Sequence, residues 1–137
     1  MEPAKMVNET PQLNNNHTHT IMVIDDEEPV REAVKDILEL VQINVLQAED
    51  GQTGIEMYRQ QGAKIELILL DLSMPGMNGE EVFHILRQIN PDIRILLSSG
   101  FNETEVTARL AGQNITGFIQ KPYTLDTLID KVQQYLD

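Results

Sequence analysis

Three acidic residues and one lysine follow apolar segments that have the length of buried strands. Asp25 and Asp26 come directly after the first of these segments, Asp71 after the third and Lys121 just after the fifth. Carboxylates that lie close together repel one another unless a cation neutralises them. Mg²⁺ prefers such oxygen ligands and often shares its coordination shell with phosphate. The pattern therefore predicts a site for a divalent cation and a phosphoryl group.

The expected metal ligands are oxygens from two loops. Asp26 and Asp71 are predicted to bind Mg²⁺ directly, and Asp25 to act through a water molecule. The backbone carbonyl of Ser73 can supply a further oxygen. This arrangement leaves one Asp71 oxygen free as a nucleophile toward phosphorus.

Phosphoryl transfer depends on charge stabilisation at the equatorial oxygens more than on an acid or a base. The metal, the ammonium of Lys121 and the hydroxyl of Ser99 can each meet one such oxygen. Each residue alone has a plainer interpretation, because Asp25 and Asp26 can cap a helix and Asp71 can stabilise a turn. Their joint occurrence at strand ends favours the site.

Composition limits the possible classes of protein. A length of 137 residues, 41% of them hydrophobic, suits one compact domain. The net charge of −12 disfavours direct binding to nucleic acid. The sequence contains no cysteine, no signal-peptide pattern and no apolar segment long enough to span a bilayer, so we expect no membrane insertion and a cytoplasmic location.

Residues 1–19 are polar and aperiodic, and they are predicted to form a flexible tail or linker in which His17 and His19 are solvated. Residues 20–137 show alternating strand and helix patterns. The Asp26 side chain is able to cap the first helix, and Pro29 is suited to its first turn. The predicted strands are 20–24, 43–48, 65–70, 93–98 and 115–119. The predicted helices are 30–41, 51–61, 82–89, 102–112 and 125–136.

Strict alternation of strands and helices indicates an α/β fold with a single parallel sheet. Five such units suit a flavodoxin-like (βα)5 fold with the strand order 2-1-3-4-5. In that order the first and third strands are neighbours, so Asp25, Asp26 and Asp71 should converge.

Residues 20–137 resemble the receiver domain of two-component response regulators. The resemblance rests on a specific set of motifs at matching positions, namely Asp25-Asp26, Asp71 with Met74-Pro75 and Gly79, Ser99-Gly100, and Lys121-Pro122.

This resemblance implies roles for individual residues. Asp71 is then the phosphoacceptor, and the donor is a phosphohistidine on a sensor histidine kinase or a histidine phosphotransfer protein. Ser99, a serine where the family often has threonine, and Phe118 are the implied switch residues, which remodel the surface of residues 102–136. The bond between Lys121 and Pro122 is expected to be cis.

Two neighbouring side chains are expected to tune hydrolysis of the aspartyl phosphate. Ser73 is too short to hold a water molecule firmly, and Phe101 offers no hydrogen bond to one. Together they predict a comparatively long-lived phosphoryl group.

The sequence ends with its last predicted helix, so we expect no output domain within it, and its motifs resemble receivers attached to hybrid sensor kinases. We expect a signalling domain that catalyses only its own phosphotransfer and dephosphorylation.

The alternative is a Mg²⁺-dependent phosphohydrolase with an aspartyl-phosphate intermediate. Such enzymes usually carry a second aspartate two residues after the nucleophile, where this chain has Ser73. A third possibility is an unphosphorylated interaction module, against which the intact acidic residues and Lys121 argue.

Overall fold

The computed structural model describes residues 19–110 and 115–136, which form five strands and five α-helices in strict alternation. A single turn of 3-10 helix, Gly62–Lys64, precedes the third strand. The strands are β1 (His19–Ile24), β2 (Ile43–Ala48), β3 (Leu67–Asp71), β4 (Arg94–Ser99) and β5 (Gly117–Gln120). The helices are α1 (Glu28–Glu39), α2 (Gly51–Gln61), α3 (Gly79–Ile89), α4 (Glu103–Arg109) and α5 (Leu125–Gln134).

All strand pairs are parallel, and the sheet has the order β2-β1-β3-β4-β5. This confirms the predicted flavodoxin-like fold. Parallel strands end at a common edge, where open α/β sheets bind ligands. The order therefore brings the ends of β1 and β3 side by side.

Helices cover both faces of the sheet and create two hydrophobic layers. On one face, α2, α3 and α4 pack over side chains such as Ile68, Leu70 and Leu97. On the other face, α1 and α5 pack over Leu69 and Leu96. The central strands are therefore buried on both faces, which explains why they are almost wholly apolar. No helix within residues 19–110 and 115–136 is both long and apolar enough to cross a membrane.

Several strand boundaries differ from the predicted ones by one or two residues. Asp71 belongs to β3 itself, where it lies opposite Ser98 in the ladder with β4. β5 begins at Gly117 rather than at residue 115. One reason is that the amide of Ile95 donates to the Thr116 hydroxyl at 3.1 Å instead of to a strand carbonyl.

The first strand begins at His19, one residue before the predicted start. His19 was expected to be a solvated tail residue, and this expectation is wrong. It pairs with Ile43 in the sheet, and its Nδ1 lies 2.8 Å from Oε1 of Glu66. The sequence pattern missed it because a polar residue at the first position of a strand carries no apolar signal. His17 lies outside the described residues.

The start of α1 also differs from the prediction. Glu27, and not Asp26, is the N-cap residue, and its side chain makes no capping hydrogen bond. Pro29 lies in the first turn, as predicted. The exposed Asp26 carboxylate is therefore not used as a helix cap. Helix α4 is shorter than the predicted 102–112, because Asn102 is its cap and α4 ends at Arg109.

Candidate phosphoryl and metal site

Asp25, Asp71 and Lys121 meet at the carboxyl edge of the sheet. Nζ of Lys121 lies 2.8 Å from Oδ2 of Asp25 and 3.4 Å from Oδ2 of Asp71. Asp25 is 1% exposed and Asp71 is 3% exposed, so both carboxylates are buried. The backbone holds Lys121 in place, because its amide donates to the Ser99 carbonyl at 2.8 Å.

Backbone amides fix the orientation of both buried carboxylates. Oδ1 of Asp25 accepts a hydrogen bond from the Glu27 amide at 2.9 Å, and Oδ1 of Asp71 accepts one from the Ser73 amide at 3.0 Å. Arg31 anchors the first loop by donating from Nη1 to the Asp25 carbonyl at 2.8 Å. In each carboxylate Oδ1 is thus engaged, and Oδ2 faces Lys121.

The side chains of Asp25, Asp26 and Asp71 form a cluster that suits a divalent cation. One carboxylate oxygen from each residue lies within 4.8 Å of the others. Together with Lys121 the cluster carries two net negative charges when ionised. A set of oxygen donors with this charge fits Mg²⁺, which binds few protein carboxylates and keeps several waters.

Burial and charge shift the proton affinities of the central residues. Burial raises the pKa of Asp71 above its usual value, although the Ser73 amide and Lys121 act in the opposite direction. Burial lowers the pKa of the Lys121 ammonium, but the contact with Asp25 and the charge of Asp71 outweigh it. The pKa of Lys121 is therefore raised, and the residue stays charged.

The two predicted switch residues are both buried. Ser99 is 0% exposed, and its Oγ accepts a hydrogen bond from the Phe101 amide at 3.0 Å. That bond uses a lone pair, so the hydroxyl proton remains available for another acceptor. Phe118 is 8% exposed and packs in the layer under α4, near Val106 and Ile115. Its ring lies inside in this conformation.

An open pocket of about 360 Å³ gives access to the buried Asp71 carboxylate. Both residues predicted to tune hydrolysis, Ser73 and Phe101, line it together with Asp26, Glu27, Asp71, Gly100 and Lys121. Phe101 is 48% exposed. The peptide bond from Lys121 to Pro122 is cis.

Gly79 allows α3 to start close to the site. A Cβ atom at this position would lie 2.6 Å from the Asp71 carbonyl oxygen and 2.5 Å from Cα of Leu72. Only glycine therefore fits without displacing the chain that carries Asp71. Gly79 is part of the sequence motif on which the resemblance rests, and these close contacts explain why the position needs glycine.

Two residues beside the site were missed by the sequence analysis. Glu27 places Oε1 4.0 Å from Nζ of Lys121, and the adjacent acidic pair could have drawn attention to it. The hydroxyl of Tyr123 is buried, and burial raises the pKa of Tyr123 to about 12. Ser98 and the charge of Lys121 act on that pKa in the opposite direction, but burial outweighs them.

The model of the response regulator receiver domain matches residues 21–133. The chain therefore belongs to this family, and it is a receiver domain of two-component signalling. The cluster of Asp25, Asp26 and Asp71 fits the phosphoacceptor and Mg²⁺ site of such a domain. Receiver domains are signalling domains that interact with histidine kinases.

Individual relatives agree with this assignment. The chain is 31% identical over 114 residues to the autoinducer 1 sensor kinase/phosphatase LuxN of Vibrio campbellii, covering 83% of this chain and 13% of LuxN. It is 27% identical over 120 residues to the chemotaxis protein CheY of Bacillus subtilis, covering 87% of this chain and 98% of CheY.

Solved structures share the fold. The response regulator TrrA from Thermotoga maritima, in complex with Mg²⁺ and BeF, is 26% identical and superposes with a TM-score of 0.74. The alignment covers 87% of this chain and all of TrrA. The chain spans only 12% to 31% of the lengths of the first three curated relatives that it matches.

Proposed function

We propose that Asp71 accepts a phosphoryl group from the phosphohistidine of a sensor histidine kinase or a histidine phosphotransfer protein, with Mg²⁺ as cofactor. The observation that carries the proposal is the contact of Lys121 with Asp25 and Asp71 beside three converging carboxylates. A cation and an ammonium on either side of one buried carboxylate match the charge of a transferred phosphoryl group.

Asp26, Asp71 and the backbone carbonyl of Ser73 are the proposed direct ligands of Mg²⁺, and Asp25 assists through water. Bound Mg²⁺ supplies positive charge at the phosphoryl oxygens and reduces the repulsion among the carboxylates. The solved complex of TrrA with Mg²⁺ and BeF supports this part of the proposal. The cluster geometry within 4.8 Å supports it independently.

In the proposed reaction, an Asp71 carboxylate oxygen forms a bond to phosphorus as the bond from phosphorus to the imidazole nitrogen breaks. The imidazole leaves with the electron pair and is neutral when its other nitrogen carries a proton. Lys121 keeps its ammonium charge next to Asp71, because the pKa of Lys121 is raised. Its three donors can turn from Asp25 to a phosphoryl oxygen without a change in the backbone.

The switch is proposed to follow from the same contacts. The Ser99 hydroxyl donates a hydrogen bond to a phosphoryl oxygen, and the Phe118 ring packs into the space next to Ser99. Residues 102–136 include α4, β5 and α5. Movement of Ser99 and Phe118 would change the surface of these elements when Asp71 is phosphorylated. Output partners would read that surface.

The proposal includes no separate substrate, so the domain would catalyse only its own phosphotransfer and dephosphorylation. The family match disfavours the alternative phosphohydrolase. So does Ser73, because a hydroxyl in that position is a poor acid or base compared with a carboxylate. The relative LuxN is named a sensor kinase/phosphatase. Because this chain covers only 13% of LuxN, that name does not support the phosphohydrolase. Attachment to a hybrid kinase, a cytoplasmic location and no direct contact with nucleic acid stay predictions, and so does a tail before His19, which itself belongs to β1.

The test is incubation of the purified chain with Mg²⁺ and acetyl phosphate, followed by intact-mass measurement. We expect the wild type to gain the mass of one phosphoryl group. Asp71→Asn and the wild type with EDTA should gain nothing. Asp36→Asn removes an exposed carboxylate on α1 and is the matched control that should label normally. Equal labelling of Asp71→Asn would overturn the assignment.

A further inference from the structure

Arg109 at the end of α4 contacts two residues that come from other parts of the chain. Its guanidinium carbon lies 5.8 Å from the centroid of the Phe101 ring, within the range of a cation–π contact. Its Nε donates a hydrogen bond to Oε2 of Glu80, in the first turn of α3, at 3.2 Å. Arg109 thus links Phe101, just before α4, to Glu80 in α3.

The Phe101 ring needs such a contact to keep its position. Its backbone is held by the hydrogen bond from its amide to Oγ of Ser99, but the residue as a whole is 48% exposed. A half-exposed aromatic side chain can change rotamer within picoseconds to nanoseconds unless neighbours restrain it. Arg109 is such a neighbour, and Glu80 restrains Arg109 in turn.

The position of this ring matters because Phe101 lines the pocket above Asp71. We propose that Arg109, held by Glu80, is a positioning residue that keeps the Phe101 ring over this pocket and thereby slows hydrolysis of the Asp71 phosphoryl group. The inference rests on the proposed function, and it adds two residues that do not line the pocket.

The reaction that is slowed is attack by water. The water oxygen forms a bond to phosphorus as the bond from phosphorus to the Asp71 oxygen breaks. The carboxylate leaves with the electron pair, and both protons stay on the released dihydrogen phosphate until one passes to solvent. An apolar ring over the pocket excludes that water and offers it no hydrogen bond.

The Glu80 contact also predicts a dependence on salt. The Arg109 and Glu80 side chains are 37% and 27% exposed, so salt can screen their attraction. Screening weakens the restraint on Arg109 and should shorten the phosphoryl lifetime. The same increase in salt should have less effect once Arg109 or Glu80 is removed.

The experiment measures the decay of phosphorylated protein by intact mass after acetyl phosphate is removed. We expect Arg109→Ala to shorten the lifetime by a factor of about 2 to 5, the range that an exposed cation–π contact supports. Glu80→Ala should shorten it less. Arg109→Lys keeps the charge that faces the ring, and it should restore part of the lifetime. Lys35→Ala, which removes an exposed ion pair with Glu39 on α1, is the matched control and should leave the decay unchanged.

A double variant decides whether Arg109 acts through the ring. In a Phe101→Ala background, Arg109→Ala should have no further effect on the decay. The inference is overturned if Arg109→Ala leaves the decay unchanged, or if its effect is equally large in that background. A wild type that takes up no phosphoryl group would instead overturn the proposed function, and this inference with it. Labelling of each variant to the wild-type level shows that its site is folded.

Discussion

Lys121 lies 2.8 Å from Asp25, although β5 and β1 are separated in the sheet by β3 and β4. The long side chain crosses the edge of the sheet and also reaches Asp71, at 3.4 Å. It neutralises part of the acidic cluster and would therefore compete with the proposed Mg²⁺ for the same oxygens. One residue thus opposes cation binding and, in the proposed reaction, assists the phosphoryl group.

The first prediction separates these two effects of Lys121. Lys121→Met should raise Mg²⁺ affinity about fivefold, since a unit charge at about 4 Å contributes about 1 kcal/mol in water. The same variant should label more slowly with acetyl phosphate, because the ammonium no longer meets the phosphoryl oxygens. Calorimetric Mg²⁺ titration and labelling rates measure the two effects. Lys64→Met, an exposed lysine just before β3, is the control. Weaker Mg²⁺ binding by Lys121→Met would refute the competition.

The second prediction concerns repulsion within the cluster. Asp26→Asn should be as stable as the wild type or more stable, because Asp26 is exposed, repels its neighbours and does not cap α1. Its Mg²⁺ affinity should fall. Thermal melting with and without Mg²⁺ tests both statements.

Asp25→Asn provides the contrast. Asp25 is buried, accepts a hydrogen bond from the Glu27 amide and pairs with Lys121. Its environment therefore differs from that of the exposed Asp26. We expect Asp25→Asn to lower the free energy of unfolding by about 1–3 kcal/mol, which is typical when the partner of a buried polar group is removed. Equal melting of the two variants, or a stability loss in Asp26→Asn with unchanged Mg²⁺ affinity, would contradict this interpretation.

The third prediction concerns Phe118. Because the ring is buried, Phe118→Ala should label normally but lose about 3–5 kcal/mol of stability. Phe118→Leu retains much of the apolar volume and is the better test of coupling. Amide exchange of α4 and α5 with and without beryllium fluoride should show a reduced response in Phe118→Leu. Phe83→Leu, a buried substitution on α3, is the matched control. An undiminished response would exclude Phe118 from the switch.

The fold and the central site could be predicted because both follow from periodic patterns. Alternating strands and helices indicated a parallel sheet and suited the order 2-1-3-4-5, and that order places Asp25 next to Asp71. Asp26 does not cap α1, although N-cap preference favours aspartate over glutamate, because the helix starts one residue later than that preference indicates.

Contacts between distant side chains could not be predicted. The pairing of Arg109 with Glu80 joins the last turn of α4 to the first turn of α3, and no local pattern records it. The contact of His19 with Glu66 likewise joins residues that are far apart in the sequence. Such pairs depend on how helices and strands lie beside one another, which the sequence specifies only through the whole fold.

The fourth prediction concerns alkaline stability. The folded-state pKa of Tyr123 is about 12, above the usual 10.0. A raised pKa means that the folded state holds the proton more tightly than the unfolded state. The resulting stabilisation is therefore complete below pH 10 and is lost as the pH rises toward 12. Tyr123→Phe should remove this component, so its unfolding free energy should fall less steeply across that interval. Chemical denaturation at several pH values tests it, and equal slopes would contradict the burial argument.

The fifth prediction concerns the water that hydrolyses the aspartyl phosphate. Phe101→Glu should shorten the phosphoryl lifetime severalfold, because a carboxylate in the pocket can accept a hydrogen bond from the attacking water and orient it. Phe101→Ala should also shorten it, since it only opens the pocket, but to a smaller extent. Leu40→Glu places the same charge on another exposed apolar residue, at the end of α1, and is the control. Decay curves after donor removal rank the variants. If neither Phe101 substitution changes the decay while Leu40→Glu behaves like the wild type, Phe101 does not control access of water to Asp71.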